Sequence, residues 1–333
     1  MGPMDGGSVA SNLALLQNLI KRSPDSYREE FLEQYQHYRS TLKVFMLQPH
    51  SDSERLIELI TFISQVCQCY KEEAKDFPQG VLDLLRKHAQ MFEPDLRMSL
   101  CKAVVLLRNK RLVDDLTVLQ LFFDLFSCPD KALRKYLFGA IVSHIKHIKM
   151  KDKNQKLNSA LQSYVFSKLD SSHSITSRAA LLVMIDSYRK NLWNDAKTVN
   201  MIASALFIKN AKVVTTALKF FLNHADEPES DSESEEERQE DSKTLKGVMM
   251  AYRVAKKSKK RKKLMEKAKT TVTKEKKKKK AKNLGSAGLL QLYDPQTFVE
   301  QVMRKLESSN ERFELKLMLM SLIAKTVGMH KVS

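Results

Sequence analysis

The chain is short of helix breakers. Nine Gly and eight Pro in 333 residues leave few places where a helix must stop, and the abundance of Leu, Lys, Ala and Ser favours helix over sheet. Cysteine is also scarce. Cys67, Cys69, Cys101 and Cys128 match no zinc-ligand spacing and no His cluster completes one. They read as small buried hydrophobes of a reducing compartment. No Asn-x-Ser/Thr acceptor occurs, which fits a chain that stays out of the secretory path. Met1-Gly2-Pro3-Met4 lacks the charged flank and apolar core of a signal peptide. No apolar run approaches the roughly 18 residues of a membrane span. Phosphate-loop, Gly-x-Gly-x-x-Gly, His-Glu-x-x-His and Gly-x-Ser-x-Gly patterns are all missing. The chain therefore reads as a non-enzyme with no cofactor, no small-molecule substrate and no membrane partner.

What is present is a folded majority and a charge imbalance. Hydrophobic residues make up 43% of the chain, enough for most of it to bury a core. The formal net charge of +18 is concentrated in one place. Between Lys243 and Lys282 there are 19 Lys and Arg against Glu266 and Glu275, while Asp226 to Ser242 carries ten acids and one Arg. The high pI therefore describes one segment and says little about the folded part.

Apolar stripes at helical spacing fill the first 225 residues. Leu13, Leu16, Leu19 and Ile20 form one, Tyr27, Phe31, Tyr35 and Tyr38 a second, and Leu56, Leu59, Ile60, Ile63 and Val66 a third. From Glu93 onward a repeat emerges. Arg97 precedes Leu100, Ala103 and Val104; Arg134 precedes Leu137, Ala140 and Ile141; Arg178 precedes Leu181, Met184 and Ile185. An acid-bearing turn comes before each, and partner helices run through Leu116 to Phe126 and Leu157 to Leu169. A further pair spans Val199 to Phe207 and Val213 to Leu222. Two helices per unit with a period near forty is the mark of HEAT or armadillo-like repeats, in which neighbouring pairs complete each other's core. The expected fold is an all-α, HEAT/armadillo-like helical repeat solenoid interrupted by a disordered acidic-then-basic segment; an irregular all-α domain is the competing arrangement.

The expected organisation is a helical repeat region over 8–225, an acidic disordered linker over 226–242, a lysine-rich disordered segment over 243–284, and a continuation of the repeats over 285–333. In that last part Phe298, Val302, Met303 and Leu306 make one stripe, and Leu315, Met318, Leu319, Leu322 and Ile323 the next. The final repeat reads as truncated. His144 and His147 lie at i, i+3 with no acid or Cys evident beside them, so they read as partly exposed helical residues, not metal ligands. Trp193, the single tryptophan, reads as an inter-helix packing residue, with a contact anchor as the alternative.

Chemistry is expected in the charged blocks. Ser230, Ser232 and Ser234 each have an acid three residues on, the pattern an acidophilic kinase accepts; an unmodified acidic spacer is the other reading. Lys256, Lys257, Lys259, Lys260, Arg261, Lys262 and Lys263 form one basic cluster, and Lys276, Lys277, Lys278, Lys279, Lys280 and Lys282 a second. Both are dense enough for importin recognition and for salt-sensitive phosphate contacts. Only Tyr252 supplies an aromatic ring there, which argues against base stacking and sequence-specific readout. A solvated charge run without a partner is the plain alternative.

Several blocks resemble a known family. Asn12-Leu13 with Gln17-Asn18-Leu19-Ile20-Lys21-Arg22, Phe31-Leu32-Glu33-Gln34-Tyr35, Pro94-Asp95-Leu96-Arg97-Met98, Leu106-Leu107-Arg108-Asn109-Lys110 and Trp193-Asn194-Asp195-Ala196-Lys197-Thr198-Val199-Asn200 are similar to the severe-depolymerisation-of-actin protein homologues, the SDA one family. The acidic serine run followed by poly-lysine sits at the corresponding place. The resemblance implies a nucleolar and nuclear factor that acts on precursor large (60S) ribosomal subunits and their export, through particle protein and rRNA. It also implies an effect on actin organisation and cell-cycle entry. A helical-repeat transport adaptor for ribosomal cargo, or an actin-organisation and cell-cycle scaffold, is the alternative. Family members continue well beyond the position of Met329, so this chain reads as a C-terminally truncated form.

Overall fold

A computed structural model describes residues 12–48, 53–152, 154–223, 285–308 and 312–330. The chain is all-α, and no strand occurs among the described residues. It divides into two compact units, 1–179 and 180–333.

The first unit holds α1 (Leu13–Arg22), α2 (Arg28–Leu47), α3 (Ser53–Val66), α4 (Phe77–His88), α5 (Pro94–Asn109), α6 (Asp115–Leu125), α7 (Lys131–His147), α8 (Gln155–Ser167) and the start of α9 (Ser174–Arg189). The apolar stripes explain their packing. Leu56, Leu59, Ile60, Ile63 and Val66 of α3 are all buried, each stabilising the fold by about 1.5–3 kcal/mol relative to exposure. Polar residues and proline set the starts. Asn12, Asp114, Asp130 and Asn154 accept hydrogen bonds from the backbone N–H three residues on, at 3.0–3.1 Å, satisfying donors the helix leaves open. Pro78 and Pro94 occupy the first turns of α4 and α5, where a missing N–H costs nothing.

Helices pair and the pairs stack. Within pairs, α2 packs on α3, α4 on α5, and α6 on α7. Between pairs, α3 packs on α5 and α5 on α7, while α4 packs on α6 and α6 on α8. This is the arrangement of HEAT-type repeats, in which each layer completes its neighbour's core.

The recurring arginine has a structural reason. Arg97 donates from Nε to Ala89 O at 2.7 Å and from Nη2 to Phe92 O at 2.6 Å. Arg134 donates to Cys128 O at 2.8 Å. Both tie down carbonyls in the turn between the two helices of a pair, groups that helix geometry leaves without partners. Arg97 also lies 3.6 Å from Asp130, the cap of the next pair's second helix. At the third position Ser177, beside Arg178, donates its hydroxyl to Leu169 O at 2.5 Å. Lys110 reaches back one layer to Ser64 O at 2.8 Å and to Gln65 O, at the end of α3, where a cation complements the helix dipole.

The second unit holds the rest of α9, then α10 (Ala196–Ser204) with the 3₁₀ turn Ala205–Phe207, α11 (Ala211–Leu222), α12 (Pro295–Ser308) and α13 (Phe313–His330). The expected pair over 199–222 is found as α10 and α11. Trp193 is 2% exposed, a packing residue as read. Met303 departs from its expected stripe at 46% exposed, whereas Phe298 and Val302 are buried. α12 packs on α13, and α13 packs on α11.

Candidate functional site

The thirteen basic residues of the two clusters, Lys256–Lys263 and Lys276–Lys282, and the serines Ser230, Ser232 and Ser234 lie outside the described residues. The points where the chain departs for this segment and returns from it are described, and they adjoin. α11 ends at Asn223, in the left-handed conformation with φ 60°, a region Asn tolerates better than most residues. The Asn223 carboxamide then holds the returning chain. Its oxygen accepts from Gly285 N at 2.6 Å, and its nitrogen donates to Ser286 Oγ at 3.2 Å. Beyond this clasp the returning chain stays attached. Asn200 of α10 donates to Gln291 O and accepts from Tyr293 N, both at 3.2 Å. Lys305 reaches Leu206 O, and Lys325 donates to Phe221 O at 2.7 Å. Phe298 meets the rings of Phe207 and Phe221 with centroids 6.3 Å apart. The described residues on either side of 224–284 are thus held together at the end of one helix.

A second feature lies in the first unit. A cavity of about 500 Å³ is lined by Arg108, Arg111, Asp114, Asp115, Asn154 and Leu157, among others. Three elements meet there: the end of α5 and the N-terminal caps of α6 and α8. Arg108 is 8% exposed, and burial pulls its guanidinium below the ordinary arginine value, though such a group stays charged. Its Nη2 donates to Asn109 Oδ1 at 2.9 Å, while Nη1 has no hydrogen-bond partner. The Asp115 carboxylate faces this guanidinium, its charge partly opposing the effect of burial, and its Oδ1 lies 2.6 Å from His144 Nε2.

His144 corrects the reading from sequence. It is 3% exposed, not a surface position, and it has an acid beside it. That acid comes from the neighbouring helix α6, a contact that spacing along α7 cannot reveal. Burial holds the imidazole below its usual value, outweighing the opposing hydrogen bond to Asp115. Asp115 is held below the ordinary carboxyl range, first by the hydrogen bond from His144. The pair is a neutral imidazole donating to a carboxylate. Below about pH 6.5 the unfolded chain protonates this histidine before the native state does. The unfolded state then binds more protons, so stability falls as pH falls through that window, and Asp115 adds a further loss below the ordinary carboxyl value. We expect the urea midpoint to drop between pH 7.5 and 5.5, with His144 contributing at most about 1.4 kcal/mol per pH unit. The His144→Asn variant should show a shallower pH dependence, measured by fluorescence-monitored urea titration.

The cysteines divide. Cys67, Cys101 and Cys128 are buried as expected; Cys69 is exposed, which its place in the turn after α3 accounts for. Burial pushes the Cys67 thiol up to about 11 and the Cys101 thiol to about 12, away from the thiolate form that reacts. Among the described residues no three His, Cys, Asp or Glu side chains converge as a metal site. No helix among them is long and apolar enough to cross a membrane.

Sequence reading missed Arg108 as a site residue, quoting it only within a family-like block. A signal was available. Arg97 and Arg108 are eleven residues apart, three helical turns, and therefore share one face of α5 with Leu100, Cys101 and Val104. An arginine on a core face needs a partner or a purpose.

Comparison with known proteins agrees with this architecture. The family model described as SDA1, HEAT repeat matches residues 62–333. The protein SDA1 homolog of Xenopus tropicalis is 45% identical over 332 residues, covering 100% of this chain and 48% of the relative. The Drosophila melanogaster protein SDA1 homolog is 43% identical over 331 residues, with 98% of this chain and 46% of the relative covered. Protein sda1 of Schizosaccharomyces pombe is 34% identical over 349 residues, covering 98% and 48% respectively. The chain spans about half the length of the curated relatives it matches. Stacked helix pairs and a family match over most of its length give one conclusion: the chain belongs to the SDA1 HEAT-repeat family.

Proposed function

We propose that this protein is a non-enzymatic assembly and export factor for precursor large (60S) ribosomal subunits in the nucleolus and nucleus. The observation that carries the reading is the concentration of charge. Nineteen cations against two acids fall between Lys243 and Lys282, in the sequence between the joined residues Asn223 and Gly285, in a member of the SDA1 family. Such a segment suits two tasks. Lys256–Lys263 and Lys276–Lys282 present successive cations to the acidic slots of an importin, and the same side chains neutralise rRNA phosphates. The stacked helix pairs supply protein contacts to the particle. Phosphorylation of Ser230, Ser232 and Ser234 by an acidophilic kinase would add about 1.5 to 2 negative charges per site beside the lysines and weaken their hold on RNA.

Crosslinking tests this reading. Ultraviolet crosslinking of the tagged protein in cells, followed by peptide mapping, should place RNA adducts mainly between Lys256 and Lys282, on precursor large-subunit rRNA. Crosslinks to ribosomal proteins with no RNA adducts would replace this reading with that of a transport adaptor.

A further inference from the structure

We propose that the outward face of α13 is the seat of a further helix pair, the next layer of the same stack, drawn from the part of the SDA1 relatives that this chain does not span. The inference is independent of the lysine-rich segment. The make-up of α13 carries it. On one side Leu315, Leu319 and Leu322 are buried. On the opposite side Phe313, Leu317 and Met320 are 74%, 45% and 54% exposed, and the exposed Ala324 continues their line. Steps of four, three and four residues keep these side chains in one narrow stripe. Nearby polar groups are turned inward. Lys325 donates to Phe221 O at 2.7 Å, His330 Nε2 lies 2.8 Å from Leu289 O, and Ser321 Oγ donates to Leu317 O at 2.9 Å. A helix that is apolar on both sides belongs inside a core.

The stack itself indicates what covers the stripe. In the first unit α5 packs on α3 on one side and on α7 on the other. Lys110, just after α5, donates back to carbonyls at the end of α3. In the second unit α13 packs on α11, and Lys325 likewise donates back to a carbonyl at the end of α11. α13 therefore stands to α11 as α5 stands to α3, and its open stripe corresponds to the side of α5 that α7 covers. The occupant is the second helix of a HEAT-type pair, with Leu, Ile, Val or Met at the same three-and-four spacing. A second copy of the chain fits less well. Three large side chains on one helix fall short of the roughly 800 Å² per partner of a standard interface, whereas a layer joined through the chain needs no such area. The Xenopus tropicalis and Drosophila melanogaster relatives, of which the chain covers 48% and 46%, have the length for further pairs.

Hydroxyl-radical footprinting read by mass spectrometry tests this without altering the face. In the 333-residue chain, Phe313 and Met320 should oxidise readily, as should the exposed Met91 of the first unit, while the fully buried Met184 should not. Joining the chain at Ser333 to the remainder of the Xenopus tropicalis relative should bring Phe313 and Met320 to the core level of less than about 5% exposed. Their oxidation then falls about tenfold, with Met91 unchanged. Undiminished oxidation of Phe313 and Met320, with Met184 still protected, overturns the proposal. Reactive Met184 would mean that the fusion is misfolded, and the native full-length relative then decides: protection at the positions aligned with Phe313 and Met320 upholds the proposal, and reactivity there overturns it. The double variant Leu317→Glu, Met320→Lys should leave the melting temperature of the 333-residue chain in place and lower that of the fusion by several degrees; an unmoved fusion overturns the proposal. A chain that sediments as a dimer with Phe313 and Met320 protected would assign the face to a second copy and overturn it as well.

Discussion

Replacing Gly285 with alanine should destabilise the second unit by on the order of 3–4 kcal/mol. A Cβ at this position would lie 2.3 Å from Phe220 O, 2.5 Å from Asn223 Oδ1 and 2.8 Å from Phe221 O. Two of these three atoms are backbone carbonyls at the end of α11, which cannot swing aside as the tip of a long side chain can. Relief requires the returning chain to back away, and that breaks the hydrogen bond from Gly285 N to Asn223. Two other glycines serve as controls. A Cβ at Gly288 meets only ring carbons of Phe220 and Phe221 at 3.5–3.9 Å, and one at Gly328 meets nothing within 4 Å. Gly288→Ala should be close to neutral, and Gly328→Ala, inside α13, should stabilise by about 0.5–1 kcal/mol. Hydrogen exchange resolved by mass spectrometry would read the effect locally. Loss of protection in α11, α12 and α13 is expected for Gly285→Ala; protection equal to that of the native chain would refute the close approach.

Neutralising the two lysine clusters should produce the largest change in binding. With about six phosphates contacted on single-stranded RNA, the log–log slope of affinity against salt is about −4, so a fourfold rise in salt weakens native binding about 300-fold. Changing Lys256, Lys257, Lys259, Lys260, Arg261, Lys262, Lys263, Lys276, Lys277, Lys278, Lys279, Lys280 and Lys282 to Gln should flatten that slope toward about −1 and leave the protein in the cytoplasm. The two readouts separate the two roles. An unchanged slope measured by filter binding would remove RNA from the proposal. Undiminished nuclear fluorescence of the tagged variant would remove importin. Since the changes lie outside the described helices, thermal unfolding should not move, and a shift in melting temperature would point to contacts between the lysines and the folded units.

The sequence by itself determined the all-α class, the helix pairs and the core faces. Apolar spacing is a local property, and a stripe such as Leu56 to Val66 has to be buried whatever covers it. It also exposed the charge imbalance and the recurring Arg97, Arg134 and Arg178, although it gave no reason for them. That reason is a contact: two of these side chains close the turn behind them. The tertiary structure alone decided the rest. Asp115 meets His144 across two helices, and Arg108 lies buried with an unanswered donor. The chain on either side of the acidic and basic runs meets again at Asn223 and Gly285. The first and last of these join residues far apart in sequence, and no periodicity along one helix encodes which neighbour its buried polar groups will face.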